Sequence, residues 1–461
     1  MTNGMPESRL TPDELLTEIY SAFEPFLPPP EGTYVDCSEV RGRWDVVRKL
    51  GNQITRSKVP TCQLYSGHRG VGKTAELLKL KTHLEGKHYK VVYFAAEEDI
   101  ETQDAAYADI LFACTKNLVQ EIRLKGKNPL VEWMRDRWQL LNDLAATKIE
   151  FDSLSLEQKI SQFSKITAKV RAVPDSRREP RKRLNDSTPS LIVALNSFID
   201  EAKKQLIKDA QAQQLPESKG IVIIVDNLDR IAENNIDGLN NHDEIYLNRS
   251  ELMRGLNCHL IYTAAPIQMI YSPRVTQLED NYGKPDVLPL VMVRDISGGA
   301  NAQGLSKFKE LICRRLMRID PQLPDYLDTY VFDSVATRQR LCFMSGGHMR
   351  VLMQLLQKSM DQIDELPITA EAAQIAIQEQ RDTYRTGISK ERWELFARAH
   401  LSKQIENDED TLLLLLNRCL TEYRYYDEGM ELKQWCDVHP LLEGFEQFKA
   451  ALAELRDEQE K

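Results

Sequence analysis

Apolar and polar positions follow two rhythms along this chain, and their order predicts the fold. Short, nearly continuous apolar runs stand at CQLYS (62–66), KVVYFAAE (90–97), GIVIIVD (220–226), CHLIYTAAP (258–266) and LPLVMV (288–293). Runs of this length, rich in β-branched residues, read as buried strands. Helical spacing fills the gaps between them. KTAELLKLKTHLEG (73–86) puts Leu77, Leu80 and Leu84 on one face and stops at Gly86, and QDAAYADILFACTKNLVQEI (103–122) reads as the next helix. Strands alternating with helices predict an α/β fold whose five-stranded parallel sheet is covered on both faces.

The ends of the chain have a different rhythm. TPDELLTEIYSAF (11–23) begins with Thr11 as N-cap, Pro12 at the first helical position and Glu14 three residues after the cap, and a stiff proline segment, EPFLPPPEG, follows. Residues 35–60 look helical. From about 304 the pattern is helical throughout. In LSKFKELICRRLM, Leu305, Phe308, Leu311, Ile312 and Leu316 share a face. Beyond 388, two helices precede alternating residues around Asp427-Glu428-Gly429, the pattern of a β-hairpin and, with those helices, of a winged-helix-like shape. The expected organisation is an N-terminal helix and linker (1–34), a core (35–300) with a helical insertion at about 125–216, a helical region (301–387), and a winged-helix-like C-terminal domain (388–461).

Composition narrows the function classes. The chain has 461 residues, a net charge of −10 and eight scattered cysteines with no C-x-x-C pair. This excludes a disulfide framework and a cysteine zinc site, and it fits a reducing cytoplasm. The longest apolar runs fall far short of the roughly 20 residues of a membrane span, and the N-terminus lacks the basic start and apolar core of a signal peptide. The acidic total does not advertise a polyanion-binding surface. One local exception lies inside the insertion, where Arg171 to Arg183 carries Arg171, Arg177, Arg178, Arg181, Lys182 and Arg183 against Asp175 and Glu179. Pro174 and Pro180 argue against a continuous helix there. The run reads as an exposed loop, either simply solvated or a nucleic-acid contact.

The sharpest chemical signal is Gly67-His68-Arg69-Gly70-Val71-Gly72-Lys73-Thr74, which fits G-x-x-x-x-G-K-[ST] at every fixed position, after a strand and before a helix. Glycines let successive N–H groups point inward at phosphate oxygens, at a helix N-terminus. Lys73 is expected on the β- and γ-phosphates and Thr74 on Mg2+. A hydrolase also needs a carboxylate near the metal and a group that handles water. Asp226 closes an apolar strand at its carboxyl end, where open α/β sheets place ligands, and is expected to hold the Mg2+ water shell. Asp229 either polarises the attacking water, caps the next helix or pairs with Arg230. Thr263 ends the next strand, where its hydroxyl serves either the γ-phosphate and lytic water or a local backbone group. Arg350, in the first turn after Gly346-Gly347, needs an anionic partner, a phosphate or a surface carboxylate. Arg274 is a solvated loop arginine or a finger into a neighbouring subunit. His439, a lone histidine before proline, reads as structural.

In this order, GHRGVGKT, IVIIVDNLDR, IYTAAP and SGGHMR resemble an ATPase of the AAA+ and STAND superfamily, over roughly residues 35–385. Within it, the chain is similar to the branch with a helical lid and a winged helix, some of whose bacterial members belong to phage-defence systems. The resemblance implies ATP and Mg2+ as cofactors, with Lys73 and Thr74 on phosphate and metal, Asp226 as the Walker B acid, Thr263 as sensor 1 and Arg350 as sensor 2. Asn227 stands where AAA+ enzymes carry a glutamate. DNLDR is closer to the STAND form, which implies slow hydrolysis and a switch rather than a motor. Homo-oligomerisation and a separate effector protein follow as expected partners, with an initiator- or loader-like ATPase acting on DNA as the alternative.

Overall fold

A computed structural model describes residues 10–103, 105–136, 154–155, 158–159, 186–236, 238–263, 267–385, 388, 390–404 and 409–459. Residues 137–153, 156–157 and 160–185 of the expected insertion, the basic run 171–183 among them, and Ala264 to Pro266 lie outside the described residues. Along the chain, α1 (Pro12–Ala22) is followed by β1 (Cys62–Ser66), α2 (Lys73–Gly86), β2 (Tyr89–Ala95), α3 (Tyr107–Glu121), α4 (Thr188–Ala212), β3 (Gly220–Asp226), β4 (His259–Tyr262) and β5 (Asp286–Val287). Then come α5 (Ala302–Leu316), α6 (Val335–Met344), α7 (Met349–Met360), α8 (Ala370–Arg385), α9 (Lys390–Ser402), α10 (Glu409–Leu416), β6 (Leu420–Tyr426), β7 (Leu432–Val438) and α11 (Glu446–Gln459). These elements form two compact units. The described residues of one fall within Met1–Asp45, Gly67–Glu76 and Leu288–Lys461, and those of the other within Val46–Ser66 and Leu77–Val287.

The second unit holds the sheet. Its strand order is β2-β3-β4-β1-β5, and every pairing is parallel. Ile221 to Val225 are fully buried. An all-apolar strand suits a sheet covered on both faces, and Phe112 and Leu118 of α3 and Leu195 and Phe198 of α4 supply part of the cover. Strand β4 lies between β1 and β3, so the carboxyl ends of these three neighbours share one edge of the sheet. The phosphate-loop sequence leaves β1 directly at that end.

The fifth strand is not where the apolar pattern put it. It is the two-residue β5, paired with Tyr65 and Ser66, and LPLVMV follows it without joining the sheet. The run is apolar for another reason. Leu288, Leu290, Val291 and Val293 are buried in the first unit, while the Met292 N–H donates to Val40 O at 2.9 Å and the Val291 N–H to Gly347 O at 3.4 Å. A buried extended segment and a buried strand share one sequence pattern. Residues 35–60 also differ from the expectation. A short turn, Glu39–Arg41, ends at Gly42 and Arg43, both with left-handed φ (63° and 53°), and helical structure begins only at Val47.

In the first unit, α1 has the expected reciprocal cap. The Glu14 N–H donates to the Thr11 hydroxyl, and the Thr11 N–H donates to the Glu14 carboxylate at 2.8 Å. Leu15 and Ile19 of α1 join Phe308 and Ile312 of α5 and Leu352 and Leu355 of α7 in one core. A second core gathers Trp393 and Phe396 of α9, Leu420 of β6, Val438 of β7 and Phe448 of α11. Strands β6 and β7 pair antiparallel from Leu420–Val438 to Tyr426–Leu432, with the turn at Asp427-Glu428-Gly429.

Candidate functional site

In the loop between β1 and α2, three glycines carry backbone angles that side chains resist: φ is 147° at Gly67, 87° at Gly70 and 105° at Gly72. A Cβ on Gly70 would also lie 2.6 Å from the Arg350 Cβ. The Val71 N–H donates to His68 O at 3.3 Å and closes the bend. Lys73, the first residue of α2, is buried. Its Nζ donates to Gly67 O at 2.8 Å and to His68 O at 3.2 Å. The ammonium therefore lies folded over the loop at a helix start, where backbone N–H groups and the helix dipole both favour an anion. Arg69 is exposed and Thr74 is half-buried.

Helix α7 meets this loop from its own N-terminus. Its second residue, Arg350, donates its backbone N–H to Gly70 O at 3.1 Å. The Arg350 Nε donates to Pro25 O at 3.2 Å, and the guanidinium stands 5.5 Å from the centre of the Phe26 ring. The structure thus joins Arg350 to the loop through its backbone and directs its side chain to the proline segment.

A row of rings, with three buried histidines, runs from the loop past the end of the hairpin to the half-buried Tyr384 of α8. The His68 and His348 rings meet edge to face at 5.7 Å, His348 stacks on His439 at 6.0 Å, and His439 stacks on Tyr384 at 5.3 Å. His439 is held in one neutral form. Its Nδ1 accepts from the Leu441 N–H, so Nε2, 3.2 Å from Ser345 O, is the donor. His348 is fully buried, with neither ring nitrogen paired, and Nε2 of His68 is likewise unpaired. Burial, then the charges of Lys73 and Arg418, push the His68 pKa down to about 3. Burial and neighbouring positive groups hold His348 well below its usual value. Burial also takes His439 down to about 3, against an opposing hydrogen bond to Ser345. The structural reading of His439 fits these contacts. His348 had no sequence signal, because its neighbours are distant in the chain.

In the second unit, Asp226 is fully buried at the end of β3. The Tyr93 hydroxyl donates to its Oδ2 at 2.8 Å and the Asn227 N–H to its Oδ1 at 2.8 Å. Burial, then the Asp226 charge, push the Tyr93 phenol up and keep it a donor. Asn227 has a left-handed φ of 61°, and Asp229 lies in the short turn Leu228–Arg230 that follows. Arg230 pairs with Glu97 at 2.9 Å rather than with Asp229, and Glu97 also takes the Asn227 side chain at 2.7 Å. The Thr263 hydroxyl is engaged locally. It donates to Val225 O and accepts from the Leu228 N–H, each at 3.2 Å, and so fixes the turn that carries Asp229. Arg274 pairs with Glu233 at 3.1 Å and Asp243 at 3.2 Å. Tyr93 and Glu97 were missed by sequence reasoning, since only strand pairing brings them to Asp226 and Asn227.

One further cluster has metal-ligand spacing. His400, Asp437 and Glu443 offer atoms within 4.8 Å of one another. However, Arg294 pairs with both carboxylates, at 3.2 Å and 2.6 Å, and Lys403 with Asp437 at 2.7 Å. These cations already neutralise the acids, so the group is a buried ion-pair cluster. Among the described residues, no helix is long and apolar enough to cross a membrane.

No family model matches the sequence, and no curated protein is similar to it. Among solved structures, the chain is similar to the Orc1 protein of Aeropyrum pernix in complex with DNA, at 11% identity over 94% of each chain with a TM-score of 0.34. It is also similar to Cdc6p of Pyrobaculum aerophilum, at 11% identity over 96% of this chain and 98% of that one with a TM-score of 0.30. Likeness at this level transfers neither reaction nor partner.

Proposed function

We propose that this chain is an AAA+-type P-loop ATPase that binds Mg-ATP, hydrolyses it slowly and uses the bound nucleotide as a switch. The observation that carries the reading is the loop itself: three left-handed glycines lead into Lys73 at the start of a helix. The proposal assigns phosphate binding to the loop from Gly67 to Thr74, Mg2+ to Thr74 and the Asp226 water shell, and the attacking water to Asp229. The hydrogen bond from Arg350 to Gly70 O supports the switch, because any change at Gly70 reaches the first turn of α7 directly. A ligand shifts an equilibrium only through contacts that differ between states. ATP-driven assembly, or engagement of a separate effector, would be the output.

The test is Asp229→Asn. Binding of Mg-ATP should stay within threefold of wild type while turnover falls by about 100-fold, the scale of losing a water-activating group. Unchanged turnover would remove Asp229 from the reaction.

The initiator-like alternative rests on the winged-helix-like C-terminal region together with the basic run 171–183. Under the switch reading, duplex DNA at physiological salt leaves the ATPase rate unchanged within twofold, and ATP still drives assembly after Arg177, Arg178, Arg181, Lys182 and Arg183 are neutralised. Any affinity lost with those charges should be weak and salt-sensitive, as phosphate contacts are. Strong stimulation by DNA that disappears with the same five charges would establish the alternative instead.

A further inference from the structure

The phosphate loop is held from behind by a side chain that no motif marks. Arg41 ends the short turn Glu39–Arg41 and is 1% exposed. One guanidinium nitrogen donates to Val71 O at 2.7 Å and another to the Glu76 carboxylate at 3.0 Å. The Tyr34 hydroxyl donates to the other Glu76 oxygen at 3.1 Å. Glu76 lies in the first turn of α2, and its N–H donates to Gly72 O at 3.2 Å. Both partners of Arg41 therefore belong to the loop or to the helix it opens.

We propose that Arg41 is a positioning residue for the phosphate-binding loop, an inference that rests on the nucleotide reading above. In a trans peptide the C=O and the following N–H point in opposite directions. With Val71 O drawn toward Arg41, the Gly72 N–H points away from it, and that N–H has no acceptor among the described residues. The guanidinium thereby sets one donor of the cradle before any anion arrives. It also answers a charge problem. The Glu76 carboxylate sits at the same helix start that is to receive phosphate, and without Arg41 it would repel that phosphate. The turn that carries Arg41 is itself fixed. A Cβ on Gly42 would lie 2.9 Å from the Arg424 carbonyl oxygen of β6, so the chain passes close against the hairpin backbone there. Arginine is suited to this role because its rigid planar fork presents separate nitrogens to two acceptors in a fixed geometry, which the single ammonium of a lysine does not match.

The experiment measures Mg-ATP and pyrophosphate binding by calorimetry in the full chain, for wild type, Arg41→Lys, Glu76→Gln and the double variant. Pyrophosphate is the informative probe because it carries no base. Arg41→Lys should lower affinity for both ligands by about tenfold, the worth of one charge-assisted hydrogen bond. Glu76→Gln, which leaves Arg41 on Val71 O, should stay within threefold of wild type. The double variant contains no buried unpaired carboxylate and carries the test if Arg41→Lys alone does not fold; it should lose about tenfold relative to Glu76→Gln. Equal losses in Glu76→Gln and Arg41→Lys, or an ATP loss without a pyrophosphate loss, would overturn the positioning role. If Lys73→Ala leaves ATP binding intact, the nucleotide reading itself fails, a result separate from any Arg41 outcome.

Discussion

Replacing Lys73 with alanine should weaken Mg-ATP binding at least 100-fold, measured by calorimetry at constant Mg2+. The side chain is already committed to the loop, with its Nζ on Gly67 O and His68 O. Under the proposed reading, it moves from two neutral carbonyls to phosphate oxygens when nucleotide binds. Charge-assisted hydrogen bonds are worth about 1.5–3 kcal/mol each, and about 2.8 kcal/mol corresponds to 100-fold. The variant also takes the ammonium from both carbonyls and leaves His68 O the Val71 N–H alone, which loosens the loop itself. Lys73→Met keeps the buried stem but lacks the same donor, so it separates lost packing from the lost ammonium. Both variants should lose ATP, and Lys73→Met should melt above Lys73→Ala without nucleotide, since it keeps the buried stem. Wild-type affinity in either variant would remove the loop from nucleotide binding.

The second large effect concerns acid. His68, His348 and His439 are buried and held neutral, with the first and last pushed down to about 3 from the usual 6.5. A histidine of this kind takes up its proton more readily in the unfolded chain. Its stabilising contribution is complete above about pH 6.5 and is lost as pH falls toward the folded value. Between pH 7.5 and 5.5 each such histidine costs about 1.4 kcal/mol, so the three together cost about 4 kcal/mol. Positive neighbours reinforce the effect, since Lys73, Arg350 and Arg418 all oppose a charge on these rings. His242 and His259 of the sheet unit shift in the same direction and add to it. Urea denaturation at the two pH values should show the loss. His348→Phe should remove about a third of the three-ring share and cost little at pH 7.5, because neither imidazole nitrogen is paired. An unchanged pH slope in His348→Phe would show that the ring is not the group being titrated.

What the sequence revealed divides by distance along the chain. The loop, its strand and its helix were legible because their signals lie within a few residues of one another. Asp226 was legible because a carboxylate at the end of an all-apolar strand is costly to bury unless it serves a ligand or a buried partner. Arg41 was not, since its partner Glu76 lies 35 residues away and nothing near Arg41 hints at the pairing. Tyr93 reaches Asp226 across 133 residues, and only the pairing of β2 with β3 brings them together. The misplaced fifth strand has another cause. LPLVMV satisfies the apolar pattern of a strand, but its backbone hydrogen bonds go to Val40 and Gly347, which no local pattern encodes. Thr263 shows the limit of a motif from the other side. Its position at the strand end was readable, but the commitment of its hydroxyl to Val225 and Leu228 was not.

The central claim is that the backbone of residues 67–74 receives the phosphates of ATP. Amide hydrogen exchange on the wild-type chain, with and without Mg-ATP, measures those N–H groups directly. Exchange across Gly67 to Thr74 should slow at least tenfold with Mg-ATP, Gly72 included, and the first turn of α7 should slow with it through the Gly70–Arg350 hydrogen bond. Saturating Mg-ATP that binds while the exchange of residues 67–74 stays unchanged would contradict the account.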